Sequence, residues 1–366
     1  MIVPAGFNLW GVHCGIKKKS LDLGVICCED KSRAAGVFTK NANPAYSVIL
    51  SKKNINHPVK AVLVNSGNAN CFSHRDGLKD TTRIIAKLAG YLKVKKENIL
   101  IASTGIIGRK LPKEKIIEKL PLLLENATQQ SQGLKKFSRS ILTTDTFEKI
   151  SYAKVSFGKK EVNILGIAKG AGMICPDMAT MLAFVMTDAD VGSASLRKII
   201  KEAADESFNS ITIDGCMSTN DSVFLLSSRK VKLNKQETNS FSGAVKRVCL
   251  DLAKMIVRDG EGATKFVEID VKGAASEKEA KMSGFFIANS ALFKCALYGQ
   301  NPNWGRIIGA LGHGGIKVKD NVSIKFTSLK KRDIKITIDL KRGKFKHKVY
   351  TCDLTSQYVK INAEYS

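Results

Sequence analysis

The sequence predicts a mixed α/β or α+β fold. Strand-like apolar runs recur along the 366 residues, and amphipathic helical patterns lie between them. The hydrophobic content of 44% and the charged content of 25% are ordinary for a folded domain. The length allows one large domain or two smaller ones. No apolar run reaches the roughly 18 residues that a membrane-spanning helix needs, so we expect no membrane segment.

Six segments are predicted to be strands because they are rich in β-branched and apolar residues. In chain order they are Val59–Asn65, Asn98–Ser103, Thr180–Thr187, Ser222–Ser228, Phe266–Val271 and Ile334–Leu340. The last alternates apolar and polar residues, which is typical of a strand with one exposed face. Glycine-rich turns follow several of these strands, and loops at strand ends are common places for functional sites.

Three segments show the spacing of an amphipathic helix. The first is Leu78–Leu92, and the third carries its apolar face between Ala244 and Ile256. The second places Leu196, Ile199, Ile200 and Ala203 on one face, and we expect Ser195 to be its N-cap. The polar stretch Lys230–Ser240 is predicted to be a loop or turn.

The composition argues against several classes of protein. The net charge of +26 raises the possibility of nucleic-acid binding, but the basic residues are mostly dispersed lysines without interleaved aromatic residues. We therefore expect a lysine-rich solvated surface and no nucleic-acid partner. Nine scattered cysteines without a C-x-x-C pair, and a start without a secretory signal, favour reduced thiols and a cytoplasmic location.

The motifs of common cofactor and metal sites are missing from the sequence. The Gly170–Gly172 stretch lacks the third glycine of a dinucleotide fingerprint and precedes a predicted strand instead of a helix. The five histidines show no metal-ligand spacing, and G-x-S-x-G does not occur. We therefore expect neither a metal nor a bound cofactor, and no serine hydrolase of that type.

Thr180 stands at the start of a predicted strand, directly after a Gly-rich segment. A β-branched residue suits a strand, so a structural role is one interpretation. The other is a nucleophile made by self-cleavage, in which the Thr180 hydroxyl attacks the Ala179 carbonyl and water hydrolyses the resulting ester. The released α-amine, with an ordinary pKa of about 7.7–8.0, then acts as the base for its own hydroxyl.

The whole chain resembles the ornithine acetyltransferase family, also called glutamate N-acetyltransferases, of arginine biosynthesis. The resemblance depends on motifs that follow one another in that family's order and is most specific around Thr180. The motifs are PAGFNLWGVHCGIK, AAGVFTKN, NSGNAN, STGIIG, TTDTFEK, KGAGMICPDMATMLAFVMTDA, DGEGATK, NPNWGRIIGALG and YVKINAEYS.

The resemblance implies an αββα sandwich, an architecture similar to aminopeptidases and to N-terminal-nucleophile hydrolases. It also implies self-cleavage between Ala179 and Thr180, which would give an α chain of residues 1–179 and a β chain of residues 180–366. Two chains of each kind would form an α2β2 heterotetramer. The implied reaction is ping-pong transfer of acetyl from N2-acetylornithine to glutamate through an acetyl-Thr180 ester. Some members also use acetyl-CoA, and the motifs leave this second donor open.

The resemblance also implies roles for individual residues. Thr104 and Gly105 would stabilise the oxyanion of acyl transfer. The substrate-binding positions would be Thr146, Lys169, Thr180, Glu261, Asn362 and, at the chain end, Ser366. Asp177 departs from the asparagine that is commoner in the family. The closest alternative is an aminopeptidase or amidase of the same fold, which would pass the acyl group to water.

Overall fold

The computed structural model describes residues 2–73, 76–175 and 181–364. In these ranges the strands are β1 Phe7–Val12, β2 Leu23–Phe38, β3 Val59–Asn68, β4 Ile99–Ile106, β5 Lys149–Phe157, β6 Lys160–Lys169, β7 Leu182–Asp190, β8 Ser222–Lys232, β9 Phe266–Ala274, β10 Ser323–Phe326, β11 Asp333–Asp339 and β12 Phe345–Cys352. The α-helices are α1 Tyr46–Asn54, α2 Gly77–Tyr91, α3 Lys113–Glu125, α4 Ser131–Ser140, α5 Ser193–Glu206, α6 Lys235–Arg258, α7 Glu277–Ala288, α8 Ala291–Tyr298, α9 Trp304–His313 and α10 Ser356–Glu364.

Strand β2 joins two half-sheets because its two ends pair with different neighbours. Its first part pairs with β1 and β3, and its second part, from Arg33 to Phe38, pairs with β8. The strand order is β4-β3-β2-β8-β7-β6-β5, with β1 beside β2. The pairs β3–β4 and β7–β8 are parallel, so the carboxyl ends of β3 and β4 lie at one edge of their half-sheet.

The two half-sheets pack face to face, with helices on both outer sides. Successive residues of a strand point to opposite faces, and the apolar residues divide accordingly. Phe184 of β7 faces the central layer together with Val62 of β3, whereas Val185 faces the layer under α5 and α6. Leu63 faces the layer under α2 and α3. The expected αββα sandwich is therefore confirmed, and burial on both faces explains the continuous apolar runs.

A second sheet follows the sandwich in the chain. It has the order β10-β11-β9-β12, and its apolar face packs against α7, α8 and α9. The helix α10 follows β12 and brings the C-terminal part of the chain back toward the sandwich, where Asn362 contacts Glu261. Among the described residues no helix is both long enough and apolar enough to cross a bilayer.

Two local predictions were wrong. Ser195 lies inside α5, which begins at Ser193 after Gly192, so it is not the N-cap. The stretch Lys230–Ser240 is mostly regular, because β8 continues to Lys232 and α6 begins at Lys235. Asn234 caps α6: its side chain accepts a hydrogen bond from the Glu237 N–H at 2.9 Å, and the Glu237 carboxylate accepts one from the Asn234 N–H at 2.8 Å. The predicted strand at 180–187 begins at Leu182 within the described residues.

Candidate active site

The C-terminal end of strand β4 carries Thr104 and Gly105. In the parallel pairing of β3 with β4, Gly67 lies opposite Gly105, and both have positive φ, +94° and +133°. A Cβ atom on Gly105 would lie 2.3 Å from the carbonyl carbon of Gly67, so only glycine permits this close approach. The Thr104 side chain is buried. The ends of β3 and β4 therefore pack tightly against each other at the edge of the half-sheet.

Lys169 is the last residue of β6 and is 2% exposed. Its ammonium group donates to the hydroxyl of Thr143 at 2.8 Å and to the hydroxyl of Thr104 at 3.2 Å. Asp145 Oδ2 lies 3.8 Å from the same nitrogen. Burial lowers the pKa of Lys169, and the charge of Asp145 opposes this effect. Lys169 is thus a buried cation directly beside the predicted oxyanion turn.

Asp145 is the charged neighbour of Lys169 and is itself buried. Its carboxylate accepts the backbone N–H groups of Thr143 and Gly170, at 3.0 Å and 2.6 Å, and the Lys149 ammonium at 2.7 Å. Burial opposes its ionisation, but the charges of Lys169 and Lys149 outweigh this and hold the pKa of Asp145 well below its usual range. Lys149 also pairs with Asp259 at 2.5 Å. This buried network fixes the segment that carries Thr143.

Thr146 lies in the same network and does not line the site cavity. Its hydroxyl donates to the Asp259 carboxylate, and its N–H lies 3.0 Å from Asp259 Oδ2. Thr143 and Thr144, which precede it, line the cavity instead. The substrate-binding role of Thr146 stays a prediction, and the geometry gives its polar groups a structural partner.

Glu261 and Asn362 also line the site cavity. The Asn362 side-chain amide donates to Glu261 Oε2 at 2.9 Å, and the Glu261 N–H donates to the Ala171 carbonyl at 2.8 Å. Gly172 allows the carboxylate to lie close to the backbone, since a Cβ there would be 2.4 Å from Oε2. Asn362 lies on α10, so the C-terminal helix helps to close the site.

One cavity of about 100 Å³ brings together five of the predicted residues: Thr104, Gly105, Lys169, Glu261 and Asn362. Its lining includes the ammonium group of Lys169 and the carboxylate of Glu261. These charges are complementary to the carboxylate and the amine of an amino acid. Ala179, Thr180 and Ser366 lie outside the described residues, as does Asp177.

The sequence analysis missed the turn Ser218–Asp221, whose side chains are hydrogen-bonded both to β4 and to the residue before β7. Asn220 lines the cavity, and its side-chain amide donates to the carbonyls of Ala69 at 2.6 Å and Ser103 at 2.8 Å. Asp221 is fully buried and accepts the Met181 N–H at 3.0 Å. Asn220 is therefore hydrogen-bonded to Ser103, which precedes Thr104, and Asp221 is hydrogen-bonded to Met181, which follows Thr180. The available signal was four polar residues, STND, directly before an apolar strand.

Burial raises the pKa of Asp221 well above its ordinary value, although the Met181 N–H and the charge of Lys169 oppose the change. Its second carboxyl oxygen has no hydrogen-bond partner among the described residues.

Groups of three or more metal-ligating side chains do not occur in the described part of the chain.

Comparison with known proteins identifies the family. The model of the ArgJ family matches residues 8–366. The chain belongs to the ArgJ family. It is 39% identical to the arginine biosynthesis bifunctional protein ArgJ of Oceanobacillus iheyensis, over 99% of this chain and 95% of the relative. It is also 39% identical to the glutamate N-acetyltransferase of Methanocaldococcus jannaschii, over 99% and 97% of the two chains.

Two solved structures are also similar to this chain. The crystal structure of the arginine biosynthesis bifunctional protein ArgJ from Bacillus halodurans shares 34% identity, with a TM-score of 0.47, over 49% of this chain and 95% of that chain. The ornithine acetyltransferase of Mycobacterium tuberculosis, crystallised with ornithine, shares 28% identity, with a TM-score of 0.42, over 48% and 94%.

Proposed function

We propose that this ArgJ-family chain transfers acetyl from N2-acetylornithine to glutamate, giving ornithine and N-acetylglutamate in arginine biosynthesis. The observation that carries the proposal is the match to the family over residues 8–366, with relatives that include a glutamate N-acetyltransferase at 39% identity. The paired charges of Lys169 and Glu261 in one small cavity support amino-acid substrates. No bound cofactor is needed for this reaction.

The proposed chemistry proceeds through an ester on Thr180. The Thr180 hydroxyl attacks the acetyl carbonyl, and its proton passes to the α-amine of the same residue. The oxyanion that forms is stabilised at Thr104 and Gly105. The protonated α-amine then returns its proton to the departing amine of ornithine. The amine of glutamate attacks the ester in the second half-reaction, and Thr180 recovers its hydroxyl proton.

Substrate binding uses the opposite charges of the cavity. Lys169 pairs with the carboxylate of either amino acid, and Glu261 accepts hydrogen bonds from the amine. Asn362 orients Glu261 through its 2.9 Å hydrogen bond. Ser366 and Thr146 complete the proposed substrate-binding set.

Maturation is part of the proposal. Self-cleavage between Ala179 and Thr180 gives chains of residues 1–179 and 180–366, which remain associated and assemble as an α2β2 heterotetramer in the cytoplasm. The nine cysteines are scattered along the chain without a C-x-x-C pair, which fits a reducing compartment. Several relatives are named bifunctional, and acetyl-CoA is therefore proposed as a second acetyl donor.

Two measurements test the proposed function. A denaturing gel with N-terminal sequencing should show two fragments, one starting Thr-Met-Leu-Ala-Phe. The purified protein should convert N2-acetylornithine and glutamate to ornithine and N-acetylglutamate, and Thr180→Val, which removes the hydroxyl at nearly constant volume, should abolish both cleavage and transfer. Release of free acetate without N-acetylglutamate would instead favour a hydrolase, and full activity of an uncut chain would refute the Thr180 mechanism.

A further inference from the structure

A cleft of about 360 Å³ lies at the end of the sandwich away from the candidate active site. Its lining comes from residues 31–34 of β2, residues 55–58 between α1 and β3, the start of α5 and the last part of β8. The site cavity lies where β3 and β4 end, whereas this cleft lies where β3 begins and β7 ends. The two are therefore about one strand length apart, roughly 25–30 Å. We call it the arginine cleft, and its cations are Lys31, Arg33, Arg197 and Arg229.

The positive charge of the arginine cleft is largely unpaired. None of its described lining residues is acidic, and Arg33 pairs with Asp190 at 2.5 Å. Arg229 donates to the Lys31 backbone carbonyl at 3.1 Å, and neither Lys31 nor Arg197 forms an ion pair with a described residue. Three of the twelve arginines of the chain line this one cleft, which distinguishes it from the dispersed lysines of the surface. Planar guanidinium groups fit the oxygens of a phosphate with paired hydrogen bonds.

The N-terminus of α5 also lies at the arginine cleft. Ser193, the first residue of the helix, lines the cleft, and Gly192 precedes it without a side-chain cap. The described first turn contains no acidic residue, and Arg197 follows one turn later on the same cleft. A cation near the positive end of a helix is unfavourable unless an anion binds there as well. Uncapped N–H groups at a helix start commonly bind phosphate.

The hydroxyl group of Ser32 is an independent indication of a polar ligand. Ser32 lines the arginine cleft and is 1% exposed, and its hydroxyl has no hydrogen-bond partner among the described residues. The Cys28 thiol lies near it, but a thiol is a weak hydrogen-bond partner. A buried hydroxyl without a good partner is unfavourable, and an oxygen of a ligand in the cleft would accept its hydrogen bond.

The lining favours a compact anion over a nucleotide. Its described residues include no Phe, Tyr or Trp on which a base would stack, and its volume is at the lower end for ligand pockets. Residues 55–58 lead into β3, whereas Arg197 and Arg229 belong to α5 and β8. An anion in the arginine cleft therefore contacts elements of both half-sheets.

We propose that the arginine cleft binds a phosphate group, either as inorganic phosphate or as the head of a small phosphate ester, and that the bound anion links the two half-sheets. The cleft is separate from the cavity for the amino-acid substrates. The inference therefore does not depend on the proposed transfer reaction.

The test uses the full-length protein and two arginine pairs. Arg197→Gln/Arg229→Gln removes one arginine without an ion pair and one that donates to a backbone carbonyl. Arg247→Gln/Arg332→Gln is the matched control. Arg247 is exposed and forms no ion pair with a described residue, and Arg332 donates to the Arg258 carbonyl at 3.4 Å. Both variants lose two positive charges, and thermal unfolding without phosphate confirms that both are folded.

Inorganic phosphate at about 10 mM should raise the melting temperature of the wild type by at least about 2 °C relative to sodium chloride at the same ionic strength. In isothermal titration calorimetry, the Kd for phosphate should rise at least about tenfold in the cleft variant and stay within about twofold in the control. Ser32→Ala, which removes no charge, should weaken phosphate binding at least about threefold.

Glycerol 3-phosphate distinguishes the two sources of the phosphate group. Tighter binding than inorganic phosphate assigns the cleft to a phosphate ester, and equal or weaker binding assigns it to the free anion. The inference would be overturned if sodium chloride stabilised the wild type as much as phosphate does. Equal Kd values in the two arginine variants would also overturn it, because the anion would then bind elsewhere.

Discussion

The close contact between Gly67 and Gly105 gives a sharp prediction for Gly105→Ala. The new Cβ would lie 2.3 Å from the Gly67 carbonyl carbon and 2.4 Å from the Asn68 nitrogen, whereas ordinary contacts begin near 3.4 Å. The turn must therefore move by about 1 Å. The positive φ of +133° adds about 1–2 kcal/mol for an L-residue, and overpacking adds about 1–3 kcal/mol. We expect the free energy of unfolding to fall by about 2–5 kcal/mol.

Gly105→Ala should also slow acetyl transfer when the variant is folded. A displacement of about 1 Å in a positioned catalytic group costs about 100-fold in rate. We expect kcat for acetyl transfer from N2-acetylornithine to glutamate to fall by about that factor at a temperature where the variant is folded. Thermal unfolding and initial rates, measured on the same preparation, provide the two numbers.

Gly108→Ala in the same loop is the matched control. Gly108 also has a positive φ, +82°, but a Cβ there would meet no atom within 4 Å. It should therefore lose only the conformational contribution of about 1–2 kcal/mol and keep kcat within about threefold. If the two variants had the same kcat, the close approach of the strand ends would not position the proposed oxyanion-binding groups.

Three further substitutions probe the groups around the cavity. Lys169→Gln should lower kcat/KM at least about 30-fold, because a buried charge partner is worth about 2–5 kcal/mol. In the wild type, KM for glutamate should begin to rise at a lower pH than an ordinary lysine would cause, because burial lowers the pKa of Lys169. A KM that does not change with pH would contradict this. Asn220→Ala leaves two buried carbonyls without their hydrogen-bond donor and should reduce the free energy of unfolding, measured by urea titration, by about 2–4 kcal/mol. An unchanged urea midpoint of unfolding would show that other contacts hold the Ser218–Asp221 turn. Asp221→Asn removes a carboxyl group whose pKa is raised in the folded state. The stability of the wild type should therefore fall as the pH rises above about 3.9, the pKa of an aspartate in the unfolded chain. The melting temperature of the variant should increase with pH relative to that of the wild type, and a constant difference between the two would be evidence against a raised pKa.

The sequence alone was a good guide to the strands that build the site. Continuous apolar runs correctly predicted β3, β4, β7 and β8, since a strand buried on both faces must be apolar at every position. The family motifs placed Thr104, Gly105, Lys169, Glu261 and Asn362 in one site, and the structure brings these residues into one cavity.

Other features depend on contacts that no local pattern encodes. Thr146 belongs to a polar motif, but its hydroxyl and N–H are bonded to Asp259, 113 residues away along the chain. The early start of helix α6 is different, because the Asn234–Glu237 capping box that extends it into a polar stretch is a local signal that the sequence analysis did not use.

The sequence by itself predicted the apolar strands β3, β4, β7 and β8 and the resemblance to the family to which the chain belongs. Only the tertiary structure decided that the Ser218–Asp221 turn connects the strand that carries Thr104 to the residue before β7. The physical reason is that periodicity records whether a side chain avoids water, which is a property of one residue. Which groups meet across the fold depends on strand order and register, and these are set by the packing of the whole chain.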